Sequence, residues 1–176
     1  MGNVIVIYES KYGTTERYAN WISKELGAKC VKRKDLDINE LSNFDTIIYG
    51  GWLCAASIKG FKTISDEIKK LKDKKIIVYS VGCSSPKKEA TDGIEKMNFE
   101  GIDNINYFYL RGGFNYNKLG LGNKILMNML KIKLKSIKEE DRDEDTKGML
   151  DAYTNPIDFT DKSNIVPLIN SIKRTV

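Results

Sequence analysis

Apolar and polar positions along this chain switch between two periods. Val4–Tyr8 is an unbroken run of β-branched and aromatic residues, the composition of a strand buried on both faces. Thr14–Leu26 then carries the spacing of an amphipathic helix, with Tyr18, Ala19, Trp21 and Ile22 among its apolar positions. The alternation continues. Ala28–Lys32 reads as a second short strand, and polar Lys34–Ser42 leads into a third at Thr46–Tyr49. Phe61–Leu71 has helical spacing through Phe61, Ile64, Ile68 and Leu71. Lys75–Val81 is a near-continuous apolar fourth strand, and Pro86 opens a helix running to about Met97. Ile105–Leu110 is the fifth strand, and Asn164–Ile172 supplies the last helix. Such βα alternation predicts an α/β fold, a doubly wound five-stranded parallel sheet with right-handed connections. The expected strand order is 2-1-3-4-5, with a ligand crevice at the carboxyl ends of strands one and three.

One region departs from that alternation. Gly112 to about Thr154 is an insertion after strand five that a minimal sheet does not need. It opens with Gly112-Gly113-Phe114-Asn115-Tyr116-Asn117, then carries a helix with apolar Leu119, Leu121, Ile125, Leu126, Met129, Leu130, Ile132 and Leu134. Lys118, Lys124, Lys131, Lys133 and Lys135 occupy its polar positions, and the acidic run Glu139–Asp145 follows. Three readings stand for residues 117–138: a helix packed on the domain, a partner interface, or a peripheral membrane helix. Beyond the insertion, Pro156–Asp161 is expected to return to the sheet edge and cap the last helix with Thr160 or Asp161.

The densest chemistry lies at the end of the first strand. Glu9-Ser10-Lys11-Tyr12-Gly13-Thr14-Thr15 is a hydroxyl-rich loop with one glycine, placed between a buried strand and a helix. Hydroxyls, backbone N–H groups and the positive end of a helix dipole together suit a phosphate. A Walker loop needs two glycines five apart followed by Lys-Ser/Thr, and that pattern is absent. A dinucleotide fingerprint needs three glycines, and only Gly13 is here. One glycine with flanking hydroxyls fits a single phosphomonoester, or else an ordinary strand-to-helix turn capped by its threonines.

Composition narrows the chemistry. The chain has 176 residues, 41% hydrophobic and 30% charged, the balance of one soluble globular domain spanning residues 1–176. Met1-Gly2-Asn3 passes straight into the first strand, without a charged leader or a cleavage site. No apolar run approaches the ~20 residues needed to span a bilayer. An odd set of three cysteines, Cys30, Cys54 and Cys83, argues for a reducing cytoplasm. The chain has no histidine, so histidine triads and histidine acid–base catalysis are excluded, and no metal site is expected. A net charge of +5 favours anionic substrates, acidic partners or membrane surfaces, or reflects a lysine-rich bias. Nucleic acid is not among the expected partners.

Two further loops fall on the expected crevice side. Gly50-Gly51-Trp52-Leu53-Cys54-Ala55-Ala56-Ser57 follows the third strand, and Val81-Gly82-Cys83-Ser84-Ser85 follows the fourth. Two glycines before a large aromatic let the backbone approach a flat ligand while the ring lies against it; otherwise Trp52 is a packing residue. Cys54 and Cys83 invite a redox thiol role, but free cysteines are usually small buried apolar groups. Arg111, ending strand five, either faces an anionic substrate or snorkels over the sheet edge.

The loop after strand one resembles the phosphate loop of flavodoxins, a Ser/Thr-x-x-Gly-x-Thr segment, with Ser10, Gly13 and Thr15 on its key positions. That resemblance implies FMN, its phosphate held by Ser10, Lys11, Gly13, Thr14 and Thr15 with Tyr12 alongside. It further implies that Gly51, Trp52, Leu53 and Cys54 flank the isoalloxazine, and that Gly82, Cys83, Ser84 and Ser85 meet its pyrimidine edge. No catalytic side chain is assigned, since the flavin does the chemistry. Flavodoxins often carry a second aromatic in the later loop, which is missing here. The outer flavin face is then either open or covered by the insertion, for instance by Phe114 or Tyr116. The basic charge also departs from the acidic carrier flavodoxins. Lysines around the flavin would favour its reduced, anionic form and raise its potential.

A narrower resemblance covers nearly the whole chain. Tyr8-x-Ser10-x-Tyr12-Gly13-x-Thr15, Gly51–Ile58, the Arg-Gly strand end, the Leu/Ile/Met-Lys helix and the late Asp-Phe-Thr-Asp look like the flavodoxin-domain family of menaquinone-dependent protoporphyrinogen dehydrogenases. That resemblance implies an FMN-dependent oxidoreductase passing electrons between a porphyrinogen and quinone. The alternative is an electron carrier between protein partners, without a small-molecule substrate.

Overall fold

The computed structural model describes residues 2–173, so Met1, the first residue of the start read above as leaderless, lies outside the described residues. In chain order the elements are β1 (Val4–Glu9), α1 (Thr14–Leu26), β2 (Lys29–Lys32), β3 (Thr46–Cys54), β4 (Ser57–Ile58), α2 (Lys62–Ile68), β5 (Lys75–Gly82) and α3 (Lys88–Asn98). They continue with β6 (Ile105–Arg111), β7 (Gly113–Phe114), α4 (Leu121–Lys135), α5 (Glu144–Asp151), β8 (Ile157–Asp158) and α6 (Val166–Lys173). Short 3₁₀ turns join several of them, at Arg33–Asp35, Ile38–Asn43 and Lys162–Ile165 among others.

The main sheet runs β2-β1-β3-β5-β6, all parallel, with β4 added antiparallel to β3. This is the expected 2-1-3-4-5 order. The chain steps one way from β1 to β2 and then crosses back to β3, so the strand order reverses between β1 and β3, the place where ligands bind in such sheets.

The apolar run of β1 is explained by burial on both faces. Val4, Val6 and Tyr8 pack with Tyr18 and Ile22 of α1 and with Leu168 and Ile172 of α6. Ile5 and Ile7 point the other way, into a cluster with Ile64 and Ile68 of α2 and Ile94 of α3. Two apolar layers therefore enclose the sheet, as a parallel strand order requires.

Two expectations need correction. The third strand does not end at Tyr49 but continues through Gly50, Gly51 and Trp52 to Cys54. Its glycines serve close packing rather than a loop: a Cβ on Gly50 would meet the Tyr79 ring at 2.0 Å. Glycine carries no apolar signal, so the continuation left no periodicity to read. The chain then turns at Ala55 and Ala56, whose φ angles of 48° and 64° are both left-handed. That is the backbone of a two-residue hairpin, here made without glycine and therefore strained. Asn98 secures it, donating to Ala56 O at 2.8 Å and accepting from Ile58 N at 2.8 Å.

The second correction concerns helix starts. Pro86 precedes rather than opens α3, which begins at Lys88. Asp161 caps the 3₁₀ turn before α6, accepting from Ser163 N, while Thr160 bonds Asp158 and Arg17 instead.

The insertion is pinned at its neck. β7 pairs antiparallel with β8, so residues on either side of the two added helices are held together. Phe114, Leu119 and Ala152 form its small apolar centre with Met127 and Tyr116. Among the described residues, no helix is long and apolar enough to cross a membrane.

Candidate cofactor site

The loop after β1 turns directly into α1 at Gly13. Gly13 sits just before α1 at φ +91°, a left-handed conformation that few other residues adopt cheaply, and its N–H donates to Ser10 Oγ at 3.1 Å. Among the described residues, no side chain caps α1. Its first-turn N–H groups, which have no intrahelical acceptor, are thus left facing the loop with the positive end of the helix dipole.

Thr15 is the most informative residue here. It is almost fully buried, yet its Oγ1 has no hydrogen-bond partner among the described residues. A buried hydroxyl without a partner is costly, so an acceptor or donor supplied from outside the chain is its natural complement. Its backbone is held from below, where the Tyr79 hydroxyl donates to Thr15 O at 3.3 Å. The carboxylate in this turn, Glu16, is engaged by the Tyr8 hydroxyl at 2.8 Å. Burial and that neighbouring carboxylate push the Tyr8 phenol up to about 12, so it remains a donor at neutral pH.

On the β3 side, Trp52 stands edge-on to Tyr12 with ring centroids 6.4 Å apart. The ammonium groups of Lys11 and Lys59 lie 5.5 and 5.9 Å from the Trp52 ring. Lys59 N donates to Trp52 O at 3.0 Å, which fixes the backbone at the indole. Leu53 turns into the lower core, and Cys54 pairs with Ser57 in the hairpin.

The loop after β5 is tied down on every side. Gly82 O accepts from Gly112 N at 2.7 Å, and Ser84 O accepts from the Tyr109 hydroxyl at 2.8 Å. Ser85 donates to Asp145 at 3.0 Å, and Lys87 pairs with Asp143 and Asp145 at 3.1 and 3.4 Å. The Cys83 thiol donates to Gly113 O, and burial pushes it up to about 11 despite the opposing Arg111 guanidinium. It is therefore protonated at neutral pH and suited to packing rather than redox chemistry.

Two contacts link expected site residues between loops, while Leu53 and Cys54 turn away into the core and the hairpin. Lys11 and Tyr12 join Trp52, and Thr14 approaches Gly112, where a Cβ would meet its Oγ1 at 3.5 Å. The Arg111 guanidinium stacks 3.8 Å over the Phe159 ring, and its buried Nε has no hydrogen-bond partner among the described residues.

Phe114 and Tyr116 both pack on Tyr153 within the insertion. The contact from the insertion to the loop comes instead from Asn123, which donates to the Tyr12 hydroxyl at 2.7 Å. Asn123 and Asp145 lie far in sequence from the loops they touch, and no local pattern marked those pairings.

Residues 5–144 match the family model described as the flavodoxin domain. The chain belongs to that family. This flavodoxin domain is similar to a WrbA-like flavodoxin from Agrobacterium tumefaciens, with a TM-score of 0.51 and 17% identity over 70% of this chain and 88% of that one. A flavoprotein in complex with FMN from Lactobacillus acidophilus has a TM-score of 0.47 and 14% identity, covering 63% of this chain and 93% of its own. The Trp repressor binding protein from Bacillus subtilis has a TM-score of 0.48 and 18% identity, covering 62% and 84%. No curated protein sequence matches the chain. At these identities the likeness of this flavodoxin domain to solved structures concerns its fold.

Proposed function

We propose that this flavodoxin domain binds FMN non-covalently and acts as an oxidoreductase of the protoporphyrinogen/quinone type. The observation that carries the cofactor reading is the buried, unpartnered Thr15 Oγ1 beside the uncapped start of α1. A single terminal phosphate supplies what both lack, acceptors for a hydroxyl and for several amides. The residues present fit that group. Ser10, Thr14 and Thr15 provide hydroxyls, Gly13 the turn, and Lys11 a positive charge. When bound, FMN accepts and releases electrons. Trp52 and the backbone of Gly51–Cys54 would cover one side of the ring system, and Gly82–Ser85 would meet its polar edge. The rigid ties of that loop to Tyr109, Gly112 and Asp145 hold it in place for binding.

A direct substrate reaction is favoured over protein-to-protein transfer by the +5 charge and by an added segment whose Asn123 touches the cofactor loop. The test is the visible spectrum of the purified protein, followed by assay with protoporphyrinogen and menaquinone analogues. A yellow protein that turns over without protein partners is expected. A colourless protein indifferent to added FMN would refute the cofactor reading. Reduction only through a reductase would instead make it a carrier.

A further inference from the structure

We propose that the outward face of α4 docks on a bilayer surface rich in anionic lipid; that this brings a lipid-borne redox partner to the site rests on the FMN reading above. The face is apolar at its centre. Leu121, Ile125, Met129 and Ile132 are 82%, 65%, 64% and 71% exposed. Their spacing of four, four and three places them along one stripe of the helix.

The opposite side of α4 is where the helix meets the protein. Met127 packs on the Phe114–Leu119–Ala152 cluster, and its carbonyl accepts from the Tyr153 hydroxyl. Lys124 and Lys131 are held over the Tyr116 and Tyr153 rings, at 5.7 and 4.8 Å. The outward stripe thus lies outside the core that fixes the helix. Contiguous apolar exposure of this kind marks a binding surface.

Charge selects the occupant. Between residues 117 and 138 the chain carries Lys118, Lys124, Lys131, Lys133, Lys135 and Lys138 and no carboxylate. Lys133, Lys135 and Lys138 are exposed. Of the acidic residues that follow, Asp143 and Asp145 pair with Lys87, Glu144 pairs with Lys147, and Glu140 approaches Lys138 at 3.9 Å, with Glu139 and Asp141 exposed beyond the helix end. An apolar stripe with a lysine rim matches the boundary between anionic headgroups and acyl chains. A second copy of this chain would bring lysines against lysines, which disfavours self-association through the same face.

Geometry selects a surface rather than a spanning mode. A helix of 15 residues extends about 22 Å, short of the ~30 Å hydrocarbon core. Lying in the interface, α4 would set its first turn, and through Asn123 the Tyr12 loop, at the lipid surface.

The test is co-sedimentation of FMN-loaded protein with phosphatidylcholine vesicles, with and without phosphatidylglycerol. Binding to the phosphatidylglycerol vesicles is expected, weakening as salt is raised. The double variants Ile125→Glu/Ile132→Glu and Lys133→Glu/Lys135→Glu should each lower that binding by about tenfold or more, with circular dichroism unchanged. Binding no stronger than to phosphatidylcholine alone would overturn the proposal. So would wild-type binding by both variants, or a dimer that Ile125→Glu/Ile132→Glu dissociates in a protein that ignores vesicles. A yellow protein that ignores vesicles defeats the docking alone, whereas a colourless one that binds them defeats the FMN reading alone.

Discussion

Asn123 of the insertion donates its side-chain amide to the hydroxyl of Tyr12 in the phosphate loop at 2.7 Å, across 111 positions of sequence. It joins the added helix to the loop after β1. Tyr12→Phe keeps the ring against Trp52 but removes the acceptor, and Asn123→Ala removes the donor. An exposed neutral hydrogen bond contributes about 1 kcal/mol, so each variant should release FMN roughly fivefold faster in stopped-flow fluorescence. The double variant should be no faster than either single one. Additive effects would show that the two residues act independently.

Thr15→Val separates binding from folding. Valine keeps the shape while removing Oγ1, which has no partner within the described residues. Stability of the FMN-free protein should therefore hold or rise slightly in denaturant titration. FMN affinity should fall about tenfold to a hundredfold, the worth of a hydrogen bond to a charged group. Unchanged affinity would remove Thr15 from the cradle.

Gly50→Ala tests the extension of β3 beneath the site. The added methyl would meet the Tyr79 ring at 2.0 Å, in a strand flanked by β1 and β5 that cannot shift easily. Overpacking should cost about 1–3 kcal/mol or more, read as a lower denaturation midpoint at unchanged slope. A wild-type midpoint would mean that this strand yields to the methyl.

Asp143 and Asp158 give the insertion a pH dependence. Capping of Thr146 and the Lys87 ammonium hold the Asp143 carboxyl well below its usual range. At Asp158, partial burial raises the value, but bonds from Thr160 and Arg17 outweigh it and leave the carboxyl low. Groups lowered on folding stabilise fully above their unfolded pKa of about 4, and that stabilisation is lost as pH falls through the folded values. Hydrogen exchange, corrected for intrinsic rates, should show residues 113–158 equally protected from pH 7 to 5 and opening only below about 4. Opening between pH 5 and 7 would contradict this.

Lys11 and Lys59 flank Trp52 and should raise the potential of bound flavin by favouring its reduced, anionic form. Lys59→Glu should lower the measured midpoint on the order of tens of millivolts, less at high salt. A very low potential in the wild-type protein would sink the electrostatic argument.

The sheet order and the strand–turn–helix around Gly13 were readable because each is written locally. The β1 run, the helical spacing of α1 and the hydroxyls around Gly13 lie within one short stretch, and burial on both faces leaves a direct apolar signature. The β3 extension escaped because Gly50 and Gly51 carry no apolar periodicity; only the Tyr79 and Ile58 side chains packed against them reveal why they are glycine. Arg111 on Phe159, Ser85 on Asp145 and Asn123 on Tyr12 join residues far apart in the chain, so only folding could pair them. The sequence alone determined the strand, glycine turn and helix start around Gly13, since these follow one another in a single short stretch. Tertiary structure decided which side of α4 meets the protein and which is left outward. A helix with apolar residues all round has no preferred side until its neighbours are in place.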